Sequence, residues 1–93
     1  MLRPAVVVTA QRILDASSSV IQVVPLATTI RLFGSEVTID PDATKGLAVV
    51  SAAQCQHVWA VSPNRVQSVR GNVGATLLAQ LRETIAVILD LPA

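Results

Sequence analysis

Ninety-three residues, 52% hydrophobic and 14% charged, with seven Lys plus Arg against six Asp plus Glu, describe one small domain spanning 1–93. A chain of this length hides roughly 60–70% of its unfolded surface on folding, which suffices for a single-layer core and excludes Rossmann, TIM-barrel and multidomain enzymes. The charged fraction falls well below the usual ~25%, so an oligomer with a covered surface is expected. No apolar run approaches the ~18–20 residues of a membrane span, and a soluble, cytoplasmic protein without membrane contact is expected.

One Cys and one His exclude an intrachain disulfide, a thiolate zinc cluster and the usual Cys/His frameworks, so no metal and no cofactor are expected. Six of the seven cations are Arg, the better bidentate phosphate ligand. A GC-rich coding preference gives the same count, so composition alone does not indicate nucleic acid.

Val, Ile and Thr number 15, 6 and 7, a bias toward pleated segments. Ala5 to Ala10 is predicted as a first strand, buried on both faces by its three consecutive Val and therefore inside the sheet. Gln11 to Ser19 reads as a loop or one short helical turn. Val20 to Leu26 is a second strand, with Pro25 at a bulge or at the strand's end because it lacks an N–H. Ala27 to Arg31 offers hydroxyls at a strand end, and Phe33 to Ile39 alternates as a half-exposed strand. Asp40-Pro41-Asp42-Ala43-Thr44-Lys45-Gly46 is the clearest turn.

Leu47 to Ser51 is a short strand candidate. Gln54 to Val61 follows as a strand with Gln54, Gln56, Val58 and Ala60 on one face and Cys55, His57, Trp59 and Val61 on the other. Ser62-Pro63 reads as N-cap and first position of a single helical turn, and Gln67 to Val73 as a short strand. Leu77, Leu78, Leu81, Ile85, Ile88 and Leu89 then form one helical stripe. A helix over about 75–90 follows, entered at Gly74 and stopped by Pro92. A mainly β chain in this order predicts a small curled sheet with one packing helix, an SH3-like barrel being the closest standard architecture.

Three ordered stretches carry a family resemblance. They are Arg3-Pro4-Ala5-Val6-Val7-Val8-Thr9, Val23-Val24-Pro25-Leu26-Ala27-Thr28-Thr29, and Gln54-Cys55-Gln56-His57-Val58-Trp59-Ala60-Val61-Ser62-Pro63-Asn64-Arg65-Val66. With the Leu-rich helix that closes the chain, they resemble the MazF/PemK family of toxins over essentially the whole length. The resemblance implies a homodimeric SH3-like barrel of the kind shared with gyrase-poisoning toxins. It also implies a metal-independent endoribonuclease that cuts single-stranded mRNA and is neutralised by a MazE-like antitoxin. Cleavage of this kind uses the substrate's 2′-hydroxyl as nucleophile and leaves a cyclic phosphate and a 5′-hydroxyl.

That chemistry requires a base, an acid, and donors on the phosphate oxygens. By the resemblance, Arg3 grips the scissile phosphate. Family members carry Thr or Ser where this chain has Ala27, so Thr28 or Thr29 is expected to supply the hydroxyl; Thr29 keeps the same side of an extended strand as Ala27. Some plasmid-borne members place an Arg and an acid, assigned acid and base roles, where this chain has Gln54 and Gln56. Glutamine exchanges no proton near neutral pH, which leaves these two side chains to read RNA bases through donor and acceptor amides or to stand as strand-edge polarity. His57, the one histidine and so the one side chain whose ordinary pKa lies near 7, is expected to contact RNA, with proton transfer or a structural or surface role as the alternatives. Trp59 is read as core or interface rather than as a base-stacking surface, Cys55 as buried and inert, and the acids of the 40–46 turn as solvated.

The resemblance further implies a strand of the Arg-Gly-(Asp/Glu)-(Ile/Val)-Trp type ahead of the Arg-Pro block. This sequence opens Met1-Leu2-Arg3, for which an unpaired barrel edge is expected. Two other functional readings stand beside the nuclease. One is a weakly active or inactive relative that acts by occupying RNA or antitoxin; Ala27, Gln54 and Gln56 favour it. The other is a gyrase-poisoning toxin, against which the ending Asp90-Leu91-Pro92-Ala93 speaks, because those toxins end in Trp-Gly-Ile.

Overall fold

The second strand, β2 (Ile21–Ala27), has partners along both edges and organises the sheet. In the computed structural model, which describes residues 4–66, 68–69 and 71–92, it runs straight through Pro25. One edge carries β1 (Ala5–Val7), with Ala5 opposite Pro25 and Val7 opposite Val23. The other edge carries β4 (Ser51–Gln54), whose Ala53 and Ala52 pair Leu26 and Ala27, and then β5 (Trp59–Val61), which pairs Ile21–Val23.

Between β4 and β5 the chain leaves the ladder as a 3-10 turn, Cys55–His57, closed by the Val58 N–H donating to the Cys55 carbonyl at 3.2 Å. The single strand predicted over Gln54–Val61 is therefore two strands, and its two-faced assignment does not hold. Pro25 explains why the split is tolerated. Backbone N–H groups alternate between the two edges of a strand, and Leu26 donates on the β1 side, to the Pro4 carbonyl at 3.0 Å. The N–H that Pro25 lacks would have pointed at the 3-10 excursion, where no ladder partner waits for it.

Strand β3 (Glu36–Ile39) pairs the far edge of β4, from Glu36 opposite Gln54 to Ile39 opposite Ser51. Both β2 and β3 are antiparallel to β4, so they are parallel to each other, and the connection 28–35 has to cross β4. Ser51, Ala52 and Ala53 are all buried, so β4 is covered on both faces, and their small side chains leave room for the crossing chain. The strand predicted from Phe33 begins only at Glu36. Leu32 is left-handed, at φ 56°, and the Glu36 N–H donates to the Phe33 carbonyl at 3.0 Å, closing a turn. Likewise the segment predicted as a strand from Leu47 holds only a single bridge, Asp42 to Leu47, before β4 starts at Ser51.

The first strand is shorter than the predicted Ala5–Ala10, and among the described residues it pairs β2 alone. It alternates, with Val6 and Val8 buried and Val7 exposed, rather than burying both faces. Thr9 ends it: its hydroxyl accepts from the Gln22 N–H at 2.7 Å and donates to Gln22 Oε1 at 2.9 Å, replacing the ladder with side-chain bonds. The short helical turn expected next is α1 (Gln11–Asp15).

Val6, Val8, Val24, Val37, Ile39, Ala53 and Cys55 form the core with Leu81 from the C-terminal helix α2 (Ala75–Ile88). Burying each of the larger aliphatic side chains contributes about 1.5–3 kcal/mol. Of the predicted stripe, Leu81 is wholly covered, Leu77, Leu78 and Ile85 pack against the core, and Ile88 and Leu89 are exposed. The helix starts after Gly74, whose φ of +88° suits glycine, and its end is a Schellman closure: Leu91 N–H donates to the Ala86 carbonyl at 2.8 Å and Asp90 N–H to that of Val87 at 3.1 Å, with Asp90 left-handed at φ 55°. Arg82 ties the helix to the end of β1, donating to the Val8 and Thr9 carbonyls at 3.0 and 3.1 Å. Ser62 caps the expected 3-10 turn, Pro63–Arg65. Of the strand predicted over Gln67–Val73, Gln67 and Arg70 lie outside the described residues, and the rest forms no strand. Asn72 instead donates to the Thr44 carbonyl at 2.9 Å, fastening this segment to the 40–46 turn.

Candidate functional site

The sheet register decides which sequence blocks meet. Ala5 faces Pro25 across one edge of β2, Leu26 faces Ala53 across the other, and Gln54 faces Glu36 on the far side of β4. One row across the sheet thus runs from the opening of β1, through Pro25, to Gln54 and Glu36. Leu26, Ala53 and Val37, one step along, belong to the core or pack against it, and successive side chains alternate faces. The row at Gln54 and Glu36 therefore faces away from the core.

Glu36 is nevertheless covered, with 2% of its side chain accessible. Its Oε2 accepts from Arg31 Nη2 in an ion pair and from Gln56 Nε2 at 2.8 Å. These donors, the Arg31 guanidinium first and then the Gln56 amide, hold its carboxyl below the ordinary glutamate range. Its other oxygen, Oε1, and Gln56 Oε1 are buried without a hydrogen-bond partner among the described residues. Arg31 in turn lies over the Phe33 ring, its Cζ 5.0 Å from the centroid.

Arg3, the expected phosphate ligand, lies outside the described residues. Gln54 and Gln56 do come together, one at the end of β4 and one in the 3-10 turn, and Gln56 is spent partly on Glu36. His57 ends the same turn, exposed. Thr28 and Thr29 are exposed just past β2. The ladder places Thr28 beyond the Ala27–Ala52 pair, three residue steps from Gln54 and so roughly 10 Å along the strand direction. The two Thr therefore flank the glutamine row rather than join it.

Trp59, expected in the core or at an interface, is not in the core of the single chain: it is 54% exposed on β5, which among the described residues pairs β2 alone. Cys55 is wholly buried as expected; burial pushes its thiol up, and its Sγ lies 3.9 Å from the Leu81 carbonyl. Sequence reasoning missed Glu36 and Arg31. Their signal was faint: an acid and a cation five residues apart, flanking a Gly-containing turn.

The sequence matches the family model described as PemK-like, MazF-like toxin of type II toxin-antitoxin system over residues 1–89. The chain belongs to this family. The fold is similar to Mycobacterium tuberculosis toxin MazF-mt6, with a TM-score of 0.83 and 25% identity over 98% of this chain and 89% of that one. It is also similar to a chain of a MazE–MazF crystal structure from Deinococcus radiodurans (TM-score 0.76, 20% identity, 97% and 87% covered). An endoribonuclease in complex with its cognate antitoxin from a mycobacterial species has the same fold (TM-score 0.78, 18% identity, 98% and 84% covered). Among curated proteins none matches the sequence. The five-stranded antiparallel sheet with its C-terminal helix is thus the expected MazF-type fold, and this MazF-like toxin of a type II system has no described helix long and apolar enough to cross a membrane.

Proposed function

We propose that this MazF-like toxin is a metal-independent endoribonuclease that cuts single-stranded RNA in the cytoplasm through the substrate's own 2′-hydroxyl. The observation that carries this reading is the register, which sets the opening of β1, just after Arg3 in sequence, level with Pro25, Gln54 and Glu36 on the face turned from the core. The 2′-oxygen attacks the adjacent phosphorus, its proton leaves to a base, and the bond to the 5′-oxygen breaks as that oxygen takes a proton. A 2′,3′-cyclic phosphate and a 5′-hydroxyl result. Arg3 neutralises charge on the phosphate oxygens, Thr28 or Thr29 donates a hydroxyl hydrogen bond, and Gln54, Gln56 and His57 contact the bases.

The working form is a homodimer, in keeping with exposed apolar residues at Trp59 and along Val87, Ile88, Leu89 and Leu91. A MazE-like antitoxin neutralises it by laying an extended or helical segment along the groove shared by the two subunits. A second reading, an RNA- or antitoxin-binding relative with little activity, is favoured by Gln54 and Gln56, neither of which exchanges protons. Incubating purified protein with a long RNA plus EDTA, and mapping ends by primer extension beside Arg3→Ala, separates the two. Cuts at one short motif that vanish in the variant support the nuclease; a folded dimer that makes none overturns it in favour of the second reading.

A further inference from the structure

The crossover 28–35 concentrates features that the core does not require. Leu32 is held at φ 56°, a conformation that costs a non-glycine residue, although the residue is 82% exposed and gains little burial in return. On one side of it Arg31 is anchored by a covered carboxylate yet keeps 39% of its own side chain accessible. On the other side Phe33, one of two aromatics in the chain, is 53% exposed with the guanidinium over its ring. A cation fixed in direction over one face of a half-exposed ring has the chemistry of one nucleotide step of a single strand: a phosphate on the guanidinium and a base on the exposed part of the ring.

We propose that Arg31 and Phe33 form an RNA-contacting platform at the tip of the β2–β3 crossover, with Glu36 as the residue that positions Arg31. This rests on the ribonuclease reading above. The ion pair with Glu36 uses Nη2, which leaves the remaining N–H groups of the guanidinium for a phosphate oxygen. Glu36 is itself fixed by Gln56, so the platform is coupled through one carboxylate to the glutamine row.

The test uses the full-length protein and a fluorescent single-stranded 2′-O-methyl RNA of mixed sequence, which binds without being cut, with affinity followed against salt. Phe33→Leu keeps the apolar volume but not the π face and is expected to weaken binding roughly tenfold, while Phe33→Trp restores it. Removing Arg31 alone strands the Glu36 charge and risks the fold, so the second variant is Arg31→Ala with Glu36→Gln. That pair leaves the net charge unchanged, and a fall in affinity then reports a lost contact rather than a weaker field. The slope of log affinity against log salt is expected to shrink by about 0.7, the value for one single-strand phosphate contact. Wild-type affinity and slope in both variants, with RNA still bound and cut, overturn the platform and leave the nuclease reading standing. A wild type that neither binds the 2′-O-methyl strand nor cuts RNA overturns both readings.

Discussion

Glu36 carries its charge under cover because Arg31 and Gln56 both donate to one of its oxygens. Its pKa is lowered on folding, so the pair contributes stability that is fully present above the ordinary glutamate value of 4.5 and is lost as pH falls through the lowered folded value. Urea midpoints measured from neutral pH into acid are expected to drop in that window, and Glu36→Gln to flatten the drop in part. Asp42, lowered chiefly by the Thr44 N–H, retains a remainder of the same sign. Cys55 behaves oppositely: burial raises its pKa and keeps it a neutral thiol. A thiol reagent is expected to label it only at the rate of unfolding, and fast labelling of the native protein would contradict its place in the core. The burial of Cys55 was legible from its residue type, whereas the role of Glu36 was not. Its alternation places it away from the core, where Arg31 from the crossover and Gln56 from the 3-10 turn meet it.

Elements were legible where a local signal acts alone. The helix stripe from Leu77 to Ile85, the Ser62 cap and the 40–46 turn each follow from spacing or from one side chain bonding its own neighbourhood. Strand ends were not, because they are set by partners distant in sequence. Thr9 stops β1 by bonding Gln22, and the 3-10 turn at Cys55–His57 breaks a run of residues whose alternation reads as continuous. Gly71 illustrates the same dependence. A Cβ there would lie 2.2 Å from the Thr44 carbonyl oxygen and 2.6 Å from the Lys45 carbonyl carbon, both backbone atoms that do not move aside. Gly71→Ala is expected to destabilise the protein by roughly 1–3 kcal/mol in urea titrations, while Gly34→Ala, with open space around it, is expected to cost under about 1 kcal/mol.

At the scale of the whole molecule, the apolar excess noted in the composition reappears as exposed side chains at the end of α2. Val87 is 75% accessible, and Ile88, Leu89 and Leu91 lie beside it in sequence. If a second copy covers this end, Val87→Asp buries a charge at the dimer contact without touching the core. It is expected to raise the dimer dissociation constant at least about tenfold, equivalent to 1.4 kcal/mol, with the monomer's urea midpoint unchanged. Sedimentation at a series of concentrations checks this, and an unaltered dimer would move the interface elsewhere.

The sequence by itself determined the family, the mainly β class with its C-terminal helix, and the Leu77–Ile85 stripe that packs on the core, because apolar periodicity and residue order are properties of the chain alone. Only the tertiary structure decided which of the expected site residues stand together. Pairing β3 to β4 brings Glu36 level with Gln54, while the β2–β4 ladder sends Thr28 toward the opposite end. The physical reason is that register and crossover are long-range facts: a ladder sums small preferences over several distant residues, and no single residue in the sequence announces which partner it faces.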